Sequence, residues 1–348
     1  MAVLELSGAR AGGDHDGEDA GGGDGTAAAA AADTAGDATV PRFRHDAMVY
    51  ETPDELAAVA VPWLQAGLAA GDTALIAAGP ETTEPLREAV GAHPRLVVVE
   101  RHALYRERTP TAITAFRRFA AEHAAPGRRV RVVGEADFGG SRADHREWQA
   151  YESVINAAFA PLPLWGLCVF RADLPEPVLD SARHTHPHLV TAGGRAANPD
   201  FVDPATYLQG LPVPPEPLED APPALADDDI TDYTGLRHTV RGLLAAVDGP
   251  RDLLEDFLMA TDEMTSNAVR HGQPPAGLRL WIAPGRLVCT IRDSGRGWDD
   301  PFAGYGPAHG DDLSHGGMGL WLARQLCDHV AIRRDEHGVS VRLSTSWS

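Results

Sequence analysis

The run DSGRG at residues 293–297 comes one residue after the apolar run LVCTI, and its residues have the chemistry of a base-binding turn. The Asp293 carboxylate can accept a hydrogen bond from an adenine amino group. Gly295 and Gly297 allow the backbone to approach a flat ring, because no Cβ stands in the way. Alone, such a run is typical of an ordinary turn, so its meaning depends on its neighbours in the chain.

Two further motifs flank this turn. EMTSN (263–267) places Glu263 and Asn267 four residues apart, on one face of a predicted helix. An acid and an amide together suit Mg²⁺ and a reacting phosphate, because hard cations prefer oxygen ligands. GGMGL (316–320) opens the apolar run LWLARQL and predicts a loop that feeds a helix N-terminus, which favours phosphate. The three motifs in this order predict one nucleotide pocket.

The ordered trio resembles the N, G1 and G2 boxes of the GHKL ATPase superfamily, and residues 231–348 resemble the RsbW-type anti-sigma factor and serine kinase. The resemblance implies ATP and Mg²⁺ as cofactors, with Asn267 on the metal and Asp293 on adenine. It implies Glu263 as the general base that takes the proton from a serine hydroxyl. The remaining ATP-binding residues that it implies are Gly295, Gly297, Gly316, Gly317, Met318, Gly319 and Leu320.

The third motif departs from that pattern, because GGMG stands where a basic GRG is common. This removes one phosphate contact. Arg270 and Arg324 either compensate for it or are solvated helix charges, and the second interpretation is favoured.

The chain has no lysine, since all 30 basic side chains are arginine. A P-loop and the common type of protein kinase both need a lysine on the phosphates. Schiff-base chemistry on lysine is excluded as well. The predicted pocket does not depend on lysine and therefore remains.

Acidic charge is concentrated in two segments. The net charge of the whole chain is −20. Residues 1–40 and residues 191–230 each hold eight acids and one arginine, so each segment contributes −7. The first segment is Ala-, Gly- and Asp-rich and predicts a disordered tail. The second contains eight prolines and predicts a semi-extended linker. Two domains remain, 41–190 and 231–348.

The overall composition predicts a cytoplasmic protein that does not bind nucleic acid or membranes. Phosphate affinity comes from basic side chains, and this chain has no basic tract. No apolar stretch is long enough for a membrane span. The three cysteines, Cys168, Cys289 and Cys327, stand apart in apolar runs and are interpreted as small core residues.

The first domain alternates apolar strands (TALIAA, RLVVVE, RVRVVG, LWGLCVF) with helices, which predicts a parallel sheet covered on both faces. Its course from FRHDAMVYETPDEL through VVGEADF and WQAYE resembles the MEDS sensory domain. The resemblance implies a RecA-like α/β fold and the sensing of a small molecule. The candidate ligand residues are His45, Glu135, Tyr151 and Glu152. A metal site at His184, His186 and His188 is possible from spacing, but a surface position is favoured.

The second domain predicts a GHKL α/β sandwich. A helix at 236–247 precedes the helix 253–271, and two strands form a hairpin across Pro284-Gly285. Residues 298–315 would form the ATP lid, and a helix at 318–327 and two strands complete the domain.

The combination resembles RsbA-like anti-sigma regulatory proteins and implies a sigma factor and a STAS-type anti-anti-sigma protein as partners, with a homodimer expected. Two alternatives stay open: a sensor histidine kinase, and a module that binds ATP and sequesters sigma without catalysis. His238 stands in the first helix of the domain, but RHTVR lacks the acid and proline of a phosphoacceptor motif. Because a proline-rich linker cannot push rigidly on a neighbouring domain, we expect control to act through docking of the two domains or through dimerisation.

Overall fold

The structure is a computed structural model that describes residues 42–105, 108–297, 300–306 and 318–348. The predicted tail, 1–40, lies outside the described residues. The first half contains seven strands and six helices. The strands are β1 (Arg44–Tyr50), β2 (Thr73–Ala78), β3 (Leu96–Glu100), β4 (Val130–Gly134), β5 (Leu164–Arg171), β6 (His188–Thr191) and β7 (Gly194–Ala197). The helices are α1 (Pro53–Ala69), α2 (Pro80–Val90), α3 (Arg101–Leu104), α4 (Thr109–His123), α5 (Arg142–Ala158) and α6 (Glu176–Thr185).

One sheet holds all seven strands in the order β3-β2-β4-β5-β1-β6-β7. The strands pair in parallel, except for the antiparallel hairpin β6–β7. Alternate residues of each strand face opposite sides of a sheet. Leu75 and Ala77 accordingly belong to one buried cluster and Ile76 and Ala78 to another. Helices α4 and α5 cover the first face, and α1 and α2 the second. The predicted parallel sheet covered on both faces is confirmed.

Helix starts in this half follow from local sequence. Thr52 caps α1 through a capping box with Glu55, and Pro53 occupies the first turn. Ser141 and Asp144 form the same reciprocal pair at the start of α5. These caps satisfy amide groups that otherwise lack a partner in the first turn.

The second half is a five-stranded antiparallel sheet with three helices on one face. The strands are β8 (Leu225–Asp227), β9 (Gly277–Ala283), β10 (Arg286–Asp293), β11 (His329–Asp335) and β12 (Gly338–Ser346), in the order β11-β12-β10-β9-β8. The helices are α8 (Tyr233–Ala245), α9 (Arg251–His271) and α10 (Gly319–Leu326). Their buried residues, including Phe257, Met264 and Leu320, form one core with the inner face of the sheet. The predicted α/β sandwich is confirmed.

The segment 191–230 is packed against both halves, whereas the sequence predicts a semi-extended linker. It contains β7, helix α7 (Pro204–Gly210), a 3₁₀ turn (Pro217–Asp220) and β8. Ser153 of α5 donates to the Pro204 carbonyl oxygen at 3.1 Å, and Trp281 Nε1 of β9 donates to the Ala221 carbonyl oxygen at 2.8 Å.

The acids of this segment pair with the outer face of the second sheet. Arg286 donates to Glu216 at 2.6 Å, and Glu219 accepts from Thr290 at 2.6 Å and from Arg342 at 3.0 Å. Pro204 and Pro217 begin the helix and the 3₁₀ turn of this segment, and the carboxylates of Glu216 and Glu219 meet arginines of the strands beneath. The segment 191–230 has the composition of a linker, but part of it covers the face of the second sheet that the helices leave open.

Among the helices of the described residues, none combines the length and the hydropathy that a bilayer span requires.

Candidate functional site

Helix α9 brings the first and third sequence motifs together. Glu263 and Asn267 lie one turn apart and half-buried on the face that meets α10. A Cβ placed on Gly319, the first residue of α10, would stand 2.9 Å from Asn267 Nδ2 and 3.1 Å from Glu263 Oε2. A larger residue at position 319 would push on the ends of these two side chains, whereas glycine lets both lie close to the start of α10. The N-terminus of α10, where backbone amides are unpaired, thus lies beside an acid and an amide.

Asp293, at the end of β10, joins the second motif to the end of α9. Its Oδ1 accepts hydrogen bonds from the backbone amides of Gln273 at 3.1 Å and Gly295 at 2.7 Å. Gln273 follows α9 directly. Backbone amides therefore hold Oδ1 in place. Among the described residues, Oδ2 accepts no hydrogen bond, so this oxygen is available to a nucleotide base.

Two glycines shape the turn after Asp293. Gly297 has a φ of +70°, and a Cβ there would lie 2.9 Å from Val339 Cγ2. Gly295 lies against the Asp293 carboxylate, where a Cβ would stand 2.6 Å from Oδ1. Met318 and Leu320 flank Gly319, and Leu320 is buried in the core of the second half. Gly316 and Gly317 lie outside the described residues, as does most of the predicted ATP lid at 298–315.

The position of Arg324 fits neither of the two roles considered from sequence, a phosphate contact or a solvated helix charge. It is 7% exposed, so it is not a solvated helix charge. Its Cζ lies 4.2 Å from the Tyr305 ring centroid, and its Nη1 lies 3.5 Å from Glu147 Oε2 of α5. Arg324 therefore takes part in the contact between the two halves. Arg270 is exposed at the end of α9.

The two halves meet around the C-terminal end of α10. Arg108, just before α4, donates to the Gln325 carbonyl oxygen at 2.7 Å and to Asp328 Oδ1 at 3.0 Å. Thr111 of α4 donates to Gln325 Oε1 at 2.6 Å. The first of these bonds satisfies a backbone carbonyl oxygen that a helix C-terminus leaves unpaired.

A second polar contact joins α5 to β11. His329 Nε2 lies 2.7 Å from Oδ1 of Asp144, which is the capping-box partner of Ser141 at the start of α5. Burial alone would raise the pKa of Asp144, but hydrogen bonds from His329 and Ser141 hold that pKa well below its usual range. The carboxylate is thus stabilised in its charged form at the contact.

Residues 300–306, the described part of the predicted lid (298–315), pack on the first half. Tyr305 is 4% exposed and belongs to the same buried cluster as Trp148 and Phe116, and Phe302 packs against that cluster. Gly304 has a φ of +82° and lies beside Leu320 and Arg324 of α10. The described part of the predicted lid and α10, the helix that follows the lid, therefore both touch the first half.

Two of the four sensory candidates come together in the first half. His45 Nε2 of β1 lies 3.2 Å from Glu152 Oε2 of α5. The same carboxylate oxygen lies 3.5 Å from His186 Nε2, and His45 Nε2 lies 3.3 Å from Cys168 Sγ of β5. We call these four side chains the His/Glu/Cys cluster. All of them are buried, with Cys168 the most exposed at 9%.

The other two candidates lie apart from this cluster. Glu135 follows β4 and accepts from the Gly79 backbone amide at 2.9 Å. Tyr151 packs edge-on against Trp148 at 5.3 Å between ring centroids. Burial raises its pKa well above the usual range, and the nearby Tyr105 and Glu152 raise it further.

The sequence did not identify Cys168 or His186 as members of this cluster. Of the histidines at 184, 186 and 188, only His186 faces the cluster. No periodic pattern identifies it, because its position depends on the end of α6 passing over β1. The neighbouring strands β1 and β5 are far apart in sequence, and Ala47 pairs in register with Cys168.

Comparisons with known families agree with these two halves. Residues 44–187 match the MEDS family (MEthanogen/methylotroph, DcmR Sensory domain), and residues 227–345 match the histidine kinase-like ATPase domain. Serine-protein kinase RsbW of Bacillus licheniformis is 32% identical over 125 residues, covering 32% of this chain and 78% of that protein. The proteins of that name from Bacillus subtilis and Halalkalibacterium halodurans are each 30% identical, covering 32% and 35% of this chain and 78% of their own length.

The chain belongs to the RsbW family. It is an RsbW-type GHKL kinase with an N-terminal MEDS domain. At family level this is an anti-sigma serine kinase, and the family implies ATP use, usually with Mg²⁺. Among solved structures, the RsbU and RsbW domains of a Mycobacterium tuberculosis protein match with 20% identity and a TM-score of 0.27. That match covers 36% of this chain and 32% of the other.

Proposed function

We propose that this protein binds Mg·ATP between α9, β10 and α10 and transfers phosphate to a serine or threonine of a STAS-type anti-anti-sigma protein. The observation that carries the proposal is the convergence of Glu263, Asn267 and Gly319. An acid and an amide lie together at the free N-terminus of a helix, where phosphate is favoured. Asp293 holds the base-binding end of the same pocket.

Each residue has a distinct role in this proposal. Asn267 supplies an oxygen ligand to Mg²⁺, which neutralises charge on the phosphates when it is bound. The free Oδ2 of Asp293 accepts the adenine amino group. Glu263 accepts the proton of the attacking hydroxyl. Its position beside the start of α10 supports this role, because phosphate is favoured at a helix N-terminus.

We further propose that the protein holds a sigma factor and releases it when the STAS partner binds in its unphosphorylated form. The family-level character of an anti-sigma serine kinase supports this role, and the names of the RsbW relatives, serine-protein kinases, support the transfer step. The test is incubation with γ-labelled ATP and a STAS protein purified from the same cell. Acid-stable label on a serine or threonine of the STAS protein is the expected result.

Two other outcomes of that experiment would replace the proposal. Acid-labile label on a histidine of the chain itself would indicate a histidine kinase. Retention of ATP and sigma without transfer to any STAS partner would indicate a module that sequesters sigma without catalysis. Unmodified STAS protein is required in each assay, because phosphorylated partner would hide transfer.

Regulation by the first half is part of the proposal. The first half contacts the predicted lid through Tyr305, which packs among residues of α4 and α5, and it contacts α10, the helix after the lid, through the hydrogen bond from Thr111 to Gln325. A small molecule bound in the first half would then change kinase output by its differential affinity for the docked and undocked states, which is typically worth about 5- to 150-fold.

Removal of residues 1–190 tests this coupling. The remaining chain should still bind ATP, and its transfer rate should no longer respond to the native signal. An equal response from the shortened and the full-length protein would show that the first half is not the sensor.

A further inference from the structure

The His/Glu/Cys cluster presents four metal-ligating atoms to one another in a buried site. The atoms His45 Nε2, Glu152 Oε2, Cys168 Sγ and His186 Nε2 all lie within 4.8 Å of one another. Glu152 Oε2 and His186 Nε2 are fully buried and have no hydrogen-bond partner. Burying such groups without a partner is costly. A cation at their centre would satisfy them together.

The proton on His45 is fixed by Asn156. The Asn156 Nδ2 atom lies within 2.9–3.2 Å of three backbone carbonyl oxygens, those of Glu152, Ser153 and Thr185. Because carbonyl oxygens only accept, the amide nitrogen must face them and Oδ1 must face His45. Oδ1 lies 3.2 Å from His45 Nδ1, which therefore donates. The neutral ring then carries its lone pair on Nε2, towards the cluster.

The proton on His186 is fixed in the same way. Its Nδ1 lies 2.9 Å from the Ala182 carbonyl oxygen, which can only accept a hydrogen bond. The lone pair of the neutral ring is again on Nε2. Two imidazole lone pairs and a carboxylate oxygen thus point at one another without a proton assigned between them. Histidines that bind metals are oriented by this kind of second hydrogen bond.

The spacing agrees with tetrahedral coordination. Zinc bonds of about 2.0–2.1 Å to nitrogen and about 2.3 Å to sulfur place neighbouring ligand atoms roughly 3.3–3.6 Å apart. Of the six separations in the cluster, three are 3.2, 3.3 and 3.5 Å, and all six are within 4.8 Å. A set of two imidazoles, one carboxylate and one thiolate suits a borderline ion and is a poor match for Mg²⁺ or Ca²⁺.

We propose that His45, Glu152, Cys168 and His186 bind a divalent transition-metal ion of the zinc type in the first half of the chain. Binding displaces the Cys168 thiol proton to solvent as the metal–sulfur bond forms. Four protein ligands close the coordination shell, as in structural zinc sites.

The metal would tie together four elements: β1, β5, α5 and the end of α6. Helix α5 also carries Asp144 and Glu147, which contact the second half. Metal occupancy would therefore set the position of the helix that touches the kinase half. This inference stands on the first half alone and does not rest on the proposed kinase activity.

The test uses the full-length protein, stripped of metal and titrated with Co²⁺, followed by displacement with Zn²⁺. Bound Co²⁺ should give strong tetrahedral visible bands and a near-ultraviolet band from thiolate-to-cobalt charge transfer. Cys168→Ala should abolish the charge-transfer band, and His186→Gln should weaken affinity at least ~100-fold. Asn156→Ala, which removes the bond that orients His45 and the Nδ2 bonds to three carbonyl oxygens but no metal ligand, should weaken affinity by about 10- to 100-fold.

The matched control is Cys289→Ala, which removes a buried cysteine of the second half and should leave the spectrum unchanged. If a cluster variant does not fold, the wild-type protein still decides the matter, because Zn²⁺ should raise its thermal midpoint. Folded wild-type protein that binds no Co²⁺ would overturn the proposal and leave a neutral hydrogen-bonded cluster. Cobalt bound without a thiolate band, or unaffected by Cys168→Ala, would overturn it as well.

Discussion

At the residue scale, Asn267 offers the simplest test of the nucleotide pocket. Asn267→Ala removes an oxygen ligand from the half-buried face of α9 and should abolish Mg·ATP binding measured by calorimetry. The helix itself should keep its stability, since alanine is the best helix former. The neighbouring exposed residue Val269, at 40% exposure, gives the control Val269→Ala, which should bind normally. Unchanged affinity in Asn267→Ala would remove this residue from the pocket.

Some residue roles could be predicted from sequence and others could not. The pairing of Glu263 with Asn267 followed from helix periodicity, because residues four apart share a face. Arg324 could not be placed, since its partners Glu147 and Tyr305 belong to other parts of the chain. The same applies to His186 and Cys168, which join His45 only because β1 lies between β5 and β6 in the sheet.

At the element scale, the start of α10 must lie close to α9 for the pocket to form. Gly319→Ala adds a methyl group where Asn267 Nδ2 and Glu263 Oε2 stand about 3 Å away, so these two side chains must move from their positions in the proposed pocket. ATP affinity should fall at least ~10-fold while far-ultraviolet circular dichroism stays the same. Overpacking of this kind typically costs about 1–3 kcal/mol.

Gly242 in α8 is the matched control for that change. A Cβ there meets nothing within 4 Å, so Gly242→Ala should stabilise the helix slightly and leave ATP binding intact. Equal ATP affinity in both alanine variants would show that the contact between α9 and α10 does not shape the site.

The elements themselves were largely predictable, but their neighbours were not. The helices α9 and α10 and the hairpin β9–β10 follow from apolar periodicity and from turn residues. The segment 191–230 has the composition of a linker, yet Glu216 and Glu219 bind arginines on the outer face of the second sheet. Such pairing depends on strand order, which the composition of one segment does not contain.

At the scale of the whole molecule, Arg108 should hold the C-terminal end of α10 against the first half. Arg108→Ala removes hydrogen bonds to the Gln325 carbonyl oxygen and to Asp328. Amide hydrogen exchange in residues 319–326 should accelerate by about 10-fold or more, as expected for a charged hydrogen bond worth about 1.5–3 kcal/mol. Exchange in α2 should not change.

The control for that measurement is Arg118→Ala, also on α4. Arg118 is 58% exposed and pairs only with Glu122 among the described residues, so its loss should leave α10 protected. Identical exchange profiles for the two variants would mean that Arg108 does not dock the halves.

The contact between Asp144 and His329 should make stability depend on pH. Burial raises the pKa of Asp144, but its hydrogen bonds, led by that from His329, lower it overall. A carboxyl with a depressed folded pKa stabilises the folded state above its unfolded pKa, about 3.9, and loses that contribution as pH falls towards the folded value. Asp144→Asn should therefore cost stability at pH 7, and the cost should shrink below about pH 4.

Urea unfolding of both proteins at several pH values measures this difference. Asp180→Asn serves as the control, because Asp180 pairs with Arg183 on the exposed surface of α6, and such pairs contribute little. A difference between Asp144→Asn and wild type that is constant from pH 7 to pH 3 would show that the Asp144 charge does not stabilise the contact.

The phosphate-transfer rate of Glu263→Gln tests whether Glu263 is the general base of a serine or threonine kinase. Glutamine keeps the size and hydrogen-bonding capacity of Glu263 but cannot accept the proton of the attacking hydroxyl. Single-turnover transfer from ATP to the STAS partner should slow at least ~100-fold, the usual weight of general base catalysis, while ATP affinity stays within a few-fold of wild type. Glu255→Gln, on the exposed side of the same helix, should match wild type in both measurements. Transfer by Glu263→Gln at the wild-type rate would show that Glu263 is not the general base.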